Sequence, residues 1–349
     1  MKKFILRFIV SLVLMMIVSC DEPETVVTNY VHPDGSVTRK IEIRNTKNSF
    51  NKNDLQVPFD NTWTVTDSLE VGIKGDSTWI KRAEKLFKNV DEINSGYKND
   101  SSRNGKTPRH ASFNRKFRWF NTEYRFSESI YKQILSGYSV RNFLNDEELT
   151  HFYSPQYIQF NKENGEDSIK YKILADSIEK KTENWLLKNI ASLWIEEFTR
   201  LTGPGAGPGI SLDALKSRED EFVEIIKRTP DFDSLWANGI IPGEFIGEAD
   251  AIKFKTEADS AISIAVSRVL MDFIYYSVRI VMPGKLTSTN GYIDSTRNLL
   301  WPVISDFFIT DQYEMWAESK TTNVWAWIVS GLFLIFVLIG VIVKRKKAE

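Results

Sequence analysis

Apolar and polar residues alternate with period two through much of the first third of the chain. Thr25-Val26-Val27-Thr28-Asn29-Tyr30-Val31 leads into His32-Pro33-Asp34-Gly35, and Val37-Thr38-Arg39-Lys40-Ile41-Glu42-Ile43 follows. The spacing predicts two strands joined by a hairpin, because proline presets one turn dihedral and glycine accepts a positive one. Trp63-Thr64-Val65-Thr66 and Leu69-Glu70-Val71 carry the strand-like pattern to about Arg82. Residues 94–112 are polar and read as an exposed loop. Phe113 to Phe126 is the densest aromatic stretch; as a strand it places Phe120, Thr122, Tyr124 and Phe126 on one face.

The period then changes. Ile169, Ile173, Leu174, Ile178, Trp185, Leu186, Ile190, Leu193, Trp194, Phe198 and Leu201 follow three-and-four spacing, which predicts a long amphipathic helix over 168–201. Leu212 to Arg228 and Glu257 to Leu270 are helical by the same criterion, and Gly203 to Gly209, broken by two prolines, is a linker. Alternation returns at Ile274, Tyr276, Val278, Ile280 and Met282 and stops at Pro283-Gly284. Thr289-Asn290-Gly291-Tyr292 suits a two-residue hairpin turn. Leu299-Leu300-Trp301 and Tyr313 to Ala317 are further short strands.

Two apolar runs frame this pattern. Met1-Lys2-Lys3 and Arg7 precede Phe8 to Val18, and Ile17-Val18-Ser19-Cys20 follows, the arrangement of a secretory signal peptide over 1–19. Its end resembles a bacterial lipobox. The resemblance implies cleavage before Cys20, the chain's only cysteine, and a palmitate-type lipid on its thiol and new N-terminus. At the other end Val324 to Val343 is uncharged and apolar, and twenty helical residues cover about 30 Å, the thickness of a bilayer core. Trp316, Trp325 and Trp327 stand on its upstream side, as interfacial indoles do, and Lys344-Arg345-Lys346-Lys347 in the tail 344–349 favour the cytoplasmic side. The expected location is a bacterial inner membrane, with a periplasmic ectodomain and a cytoplasmic C-terminus.

With both ends pinned to one bilayer, the terminal strands must lie near each other. The expected fold class is α+β: a membrane-proximal antiparallel β module built from segments 20–126 and 271–323, with 127–270 as a helical insertion and 324–343 as a transmembrane helix. Pairing the two sets would satisfy their open edges. The alternative is two separate β units.

Composition narrows the function classes. The chain has 349 residues, 42% of them hydrophobic, which is enough for a sizeable core. A net charge of −1 gives no electrostatic case for a nucleic-acid partner, and one cysteine excludes a disulfide-stapled scaffold. Glu148-Leu149-Thr150-His151 puts a carboxylate and an imidazole on one helix face, as in di-metal bundles, but those sites need a second copy and only His32, His110 and His151 exist. It reads as a solvated helix. Glu196-Glu197 and the acids from Glu248 to Asp259 read as solvated faces too, and no nucleophile, zinc or phosphate-cradle signature occurs. No cofactor, metal or catalytic residue is therefore expected. The best candidate is the basic aromatic stretch: Arg103, Lys106, Arg109, Arg115, Lys116, Arg118 and Arg125 face only Asp100 and Glu123. Arg115, Lys116, Arg118 and Arg125 could meet anionic lipid or a partner, although a packed strand with a solvated face explains them as well. Ala326 and Ser330 have the small-x-x-x-small spacing of paired membrane helices.

Phe113-Asn114-Arg115-Lys116-Phe117-Arg118-Trp119-Phe120, Met282-Pro283-Gly284-Lys285, Thr289-Asn290-Gly291 and Trp325-Ala326-Trp327 together resemble uncharacterised lipoproteins of Bacteroides-like bacteria. Residues 272–343 more loosely resemble the LppM-type envelope lipoprotein domain. Both imply a location, and neither implies catalytic residues. The resulting expectation is a binding or scaffolding role at the outer face of the inner membrane, with membrane lipid and an envelope protein as partners. The alternative is an envelope enzyme with a site in a cleft between the helical insertion and the β module.

Overall fold

The computed structural model describes residues 24–46, 50, 60–71, 77–154, 166–229, 231–271, 273–294 and 298–346. The expected signal segment 1–19, Cys20 and Lys347 lie outside them. Strands β1 (Glu24–Val31), β2 (Val37–Asn45), β3 (Thr64–Val71) and β4 (Ser77–Phe87) are followed by helix α1 (Val90–Lys98) and by β5 (Arg109–Phe117) and β6 (Asn121–Ile130). Beyond the helical region come β7 (Tyr276–Val281), β8 (Lys285–Thr289), β9 (Tyr292–Ile293), β10 (Leu299–Val303) and β11 (Tyr313–Thr322).

The fold is α+β, and strands from the two ends of the chain share both sheets. One sheet has the order β3-β4-β2-β1-β7-β10-β9, the other β5-β6-β11-β8. Among the described residues every pairing is antiparallel except the one that joins the two ends in the larger sheet, where β1 runs parallel to β7 with Val27 opposite Val278. The antiparallel module expected from the sequence is present with this one parallel seam, which the long crossover through the insertion allows. Inward residues of both sheets form one core: Val27, Val37, Ile41 and Val278 meet Ala111, Phe126, Met315 and Ala317, with Ile93 and Tyr97 of α1 among them.

The insertion has its own core. Helices α2 (Asp146–Phe152), α3 (Glu166–Thr202), α4 (Leu212–Lys216), α5 (Glu219–Arg228), α6 (Phe232–Ala237), α7 (Ile240–Ile246), α8 (Glu248–Lys253) and α9 (Lys255–Val269) gather around Trp185, Trp194 and Phe198 of α3. Trp194 stacks on Phe198 at 4.7 Å and contacts Phe222, Trp236 and Phe245. Phe152 and Tyr153 touch both cores. A final helix, α10 (Val324–Lys346), leaves β11 after a single residue, Asn323.

Several expectations change in detail. The stretch 94–112 is not an open loop: α1 and a short 3-10 turn at Arg103–Lys106 occupy it, and Asn104, Thr107 and Arg109 are buried. The aromatic stretch is a hairpin of two strands rather than one, and β6 runs to Ile130, past the expected boundary at 126. The helix expected over 212–228 is two helices, divided at Ser217-Arg218. Asn290-Gly291 makes a tight turn but no hairpin, since β8 belongs to the smaller sheet and β9 to the larger. Asn290 holds that crossover: its amide donates to the Glu314 carbonyl at 2.6 Å, and its oxygen accepts from the Trp301 indole at 3.0 Å and the Trp316 amide at 2.9 Å.

Candidate membrane-interface site

Helix α10 is long and apolar enough to cross a membrane, and almost none of it is covered by the rest of the chain. What lies against its first turns is the tip of the β5–β6 hairpin. Phe117 pairs with Thr122, and the Arg118 amide donates to the Asn121 carbonyl at 2.8 Å, so Trp119 and Phe120 occupy the turn. Two-residue turns usually recruit Gly, Asn or Asp. Here aromatic residues fill it, and a neighbouring element holds its backbone.

That element is Asn323. Its backbone N–H donates to the Phe120 carbonyl at 3.0 Å, and its side-chain amide donates to the carbonyls of Arg118 at 2.7 Å and Trp119 at 3.2 Å. Its side-chain oxygen accepts from the Thr122 hydroxyl at 3.0 Å, and its carbonyl accepts from the Ala326 amide at 2.9 Å, inside the first turn of α10. One residue thus satisfies three successive turn carbonyls and joins strand to helix.

The ring contacts follow. Phe117 stacks on Trp325 at 6.3 Å and 8°, Trp119 meets the same indole edge-on at 5.2 Å, and Phe120 lies 4.4 Å from Trp327. The Trp119 indole N–H donates to the Ser330 hydroxyl at 2.9 Å. Ala326 is fully buried. The small residues Ala326 and Ser330 therefore receive the chain's own hairpin, which supplies a use for them other than a second membrane helix.

The candidate cations divide. Arg115, Lys116 and Arg118 are exposed beside the tip, and Arg118 makes an exposed pair with Glu123 at 3.3 Å. Arg125 is engaged within the sheet, paired with Glu318 at 2.7 Å and Glu314 at 3.4 Å and lying 4.6 Å over the Trp316 ring. Arg109 is withdrawn from the basic surface altogether, buried against Asp100. Trp316 is not brought together with Trp325 and Trp327: it sits inside β11, about 20 Å of strand away from the helix. Lys344 and Arg345 end α10 at its far side, whereas Lys347 and the side chain of Lys346 fall outside the description.

A second cluster went unread in the sequence. Between the two sheets, Arg39 donates to Asn29 at 2.8 Å, to the Tyr97 hydroxyl at 2.6 Å and to Glu128 at 3.0 Å, and Tyr97 donates to the other Glu128 oxygen. Arg109 lies 4.6 Å over the Tyr97 ring. Burial opposes the Arg39 charge, yet Glu128 and Tyr97 hold its guanidinium protonated beyond the usual range, while burial pushes the Tyr97 phenol well above its ordinary value. The signal that could have found the cluster is parity. Arg39 stands in step with Val37, Ile41 and Ile43, and Glu128 with Phe126 and Ile130, so both fall on the inward face of their strands.

Glu148 is not on a solvated face. It closes a capping box with Asn145, and both of its oxygens accept from Lys181, at 2.6 and 2.8 Å. The hydrogen bond from Lys181 and then the Asn145 amide hold its carboxyl below the ordinary value. His151 packs edge-on against Tyr171 at 4.8 Å. Among the described residues no group of three metal-ligating side chains converges. A groove of about 610 Å³ lies on the helical insertion, beside Phe232 and Trp236 and crossed by an Asp259–Lys255 pair at 3.2 Å. Another of about 520 Å³ lies on the outer face of β2, β3 and β4, and neither falls between the insertion and the sheets. No protein family, curated protein or solved structure matches this chain.

Proposed function

We propose that this chain is an envelope lipoprotein that holds a rigid ectodomain at the outer face of a bacterial inner membrane, where it binds or scaffolds an envelope protein. The observation that carries the reading is the junction at Asn323: an uncovered apolar helix follows the last strand after one residue, and the hairpin tip is hydrogen-bonded to both sides of that joint. A flexible tether would leave the ectodomain free to tumble, and Asn323 instead fixes its attitude to the helix. The aromatic residues at the start of α10 and the cations at its end favour an outside-to-inside course. Lipid on Cys20 would add a second attachment, since one acyl chain alone anchors only reversibly.

Membrane fractionation tests the reading. The full chain should resist alkaline carbonate, and deletion of 324–349 should release it; release of the intact chain would overturn the anchor. Cys20→Ser should abolish lipid labelling and leave a longer precursor, and unchanged mobility would count against lipidation. Cleavage of the Lys344 to Lys347 tail by protease added from the periplasmic side would reverse the proposed topology.

A further inference from the structure

The hairpin tip holds chemistry that attachment through α10 alone does not require. Phe117 and Trp119 pack on Trp325 and Phe120 packs on Trp327, yet each of these five rings is 39% to 57% exposed, so the tip and the first turns of α10 present an aromatic patch. Measured back from Arg345, about 30 Å of helix ends near the first turn of α10, and Ser330 lies about 9 Å along the axis beyond Val324. The Trp119 side chain, bonded to Ser330, therefore reaches the level of the acyl chains.

A turn enters hydrocarbon at lower cost the more of its backbone polar groups are satisfied internally, because no water is present there to bond them. Asn323 satisfies the carbonyls of Arg118, Trp119 and Phe120, and Ser330 takes the one polar hydrogen of the Trp119 side chain. In water those carbonyls could bond solvent and would need no such clamp. Above the patch stand Arg115, Lys116 and Arg118. Among the described residues Arg115 and Lys116 have no ion-pair partner, and the exposed pair from Arg118 to Glu123 is weak enough to exchange. Lysine and arginine with long apolar stems reach up from such a depth toward phosphate.

We propose that the β5–β6 tip enters the outer leaflet beside α10 as a second membrane element, and that Arg115, Lys116 and Arg118 bind the phosphate of anionic phospholipid headgroups there. The inference rests on α10 spanning the bilayer. It assigns the surface to lipid rather than protein because the patch adjoins the helix, the three carbonyls of its turn are satisfied within the chain, and its flanking charge is positive.

The test uses the full chain in vesicles of phosphatidylcholine, with or without phosphatidylglycerol. An environment-sensitive fluorophore is placed at Phe120→Cys, with Ile252→Cys on the helical insertion as the aqueous reference and the unsubstituted chain as the blank for Cys20. The tip label should be shielded several-fold from aqueous iodide relative to the reference, and should be quenched by lipids spin-labelled just below the glycerol. A label as open to iodide as the reference would overturn insertion, and Phe117→Cys repeats the measurement should Phe120→Cys fold poorly. Quenching by spin-labelled phosphatidylglycerol should exceed that by spin-labelled phosphatidylcholine, and R115Q/K116Q/R118Q should abolish the difference. Equal quenching by the two lipids with Arg115, Lys116 and Arg118 intact would overturn the headgroup assignment. A tip open to water in a chain that resists carbonate would sink this inference alone, whereas a chain released by carbonate would sink the anchor with it.

Discussion

Arg39 gives up its water on folding and receives Asn29, Tyr97 and Glu128 in its place. Removing one partner of such a buried pair leaves an uncompensated charge, which typically costs about 3–5 kcal/mol, while replacing both partners by apolar groups can be nearly neutral. Arg39→Met should therefore lower the unfolding free energy of the full chain in detergent by that order, seen as a lower denaturant midpoint, and adding Glu128→Leu should recover much of it; an unchanged midpoint for Arg39→Met would mean that the network adds nothing. Glu148 behaves differently, since acid reaches it. Its carboxyl is lowered from an ordinary 4.5, so its contribution is full above that pH and is lost as the pH falls through the lower folded value. Glu148→Gln should accordingly reduce the melting temperature at neutral pH, and the gap should shrink on acidification below 4.5. A gap independent of pH would remove the ion pair with Lys181 as its cause. Both residues could be placed on faces from the sequence, by strand parity for Arg39 and by helix spacing for Glu148. Their partners could not, because Tyr97, Glu128 and Lys181 come from other elements.

Elements with a strong local signal were legible. The hairpin around Pro33-Asp34-Gly35, the long helix α3 and the apolar helix α10 all lie where period and turn chemistry put them. The β5–β6 tip was not legible, since its turn lacks glycine and is held by Asn323, distant in sequence. The short helices α6 to α8 were missed for a related reason: each is too brief for a periodic pattern and forms by packing on neighbouring helices of the insertion. Gly284 was read as a break, and the structure explains why it must be glycine. Its φ is +75°, and a Cβ there would lie 2.4 Å from the Lys320 carbonyl of β11. Gly284→Ala should cost roughly 1–3 kcal/mol in thermal unfolding of the full chain and loosen β8 from β11, seen as faster amide exchange in β8. Protection equal to that of the unsubstituted chain would show that the turn can relax.

For the whole molecule, the sequence argument that two membrane attachments bring the terminal strands together anticipated the shared sheets, but not the direction in which β1 meets β7. The stiff joint at Asn323 makes a prediction at this scale: a flexible Gly-Ser segment inserted between Asn323 and Val324 should lower the residual fluorescence anisotropy of a label on the helical insertion in vesicles. An unaltered anisotropy would place the rigidity elsewhere. The parallel seam has a consequence for biogenesis. Val27 leaves the ribosome early and Val278 late, so at about 5–20 residues per second the first strand waits on the order of tens of seconds for that neighbour. Meanwhile the β1 edge of the nascent β1–β2 ribbon stays open. Were the chain exported as proposed, cells depleted of a chaperone that shields naked strand edges should accumulate it as aggregate rather than as folded protein, and an unchanged folded yield would show that the open edge needs no cover.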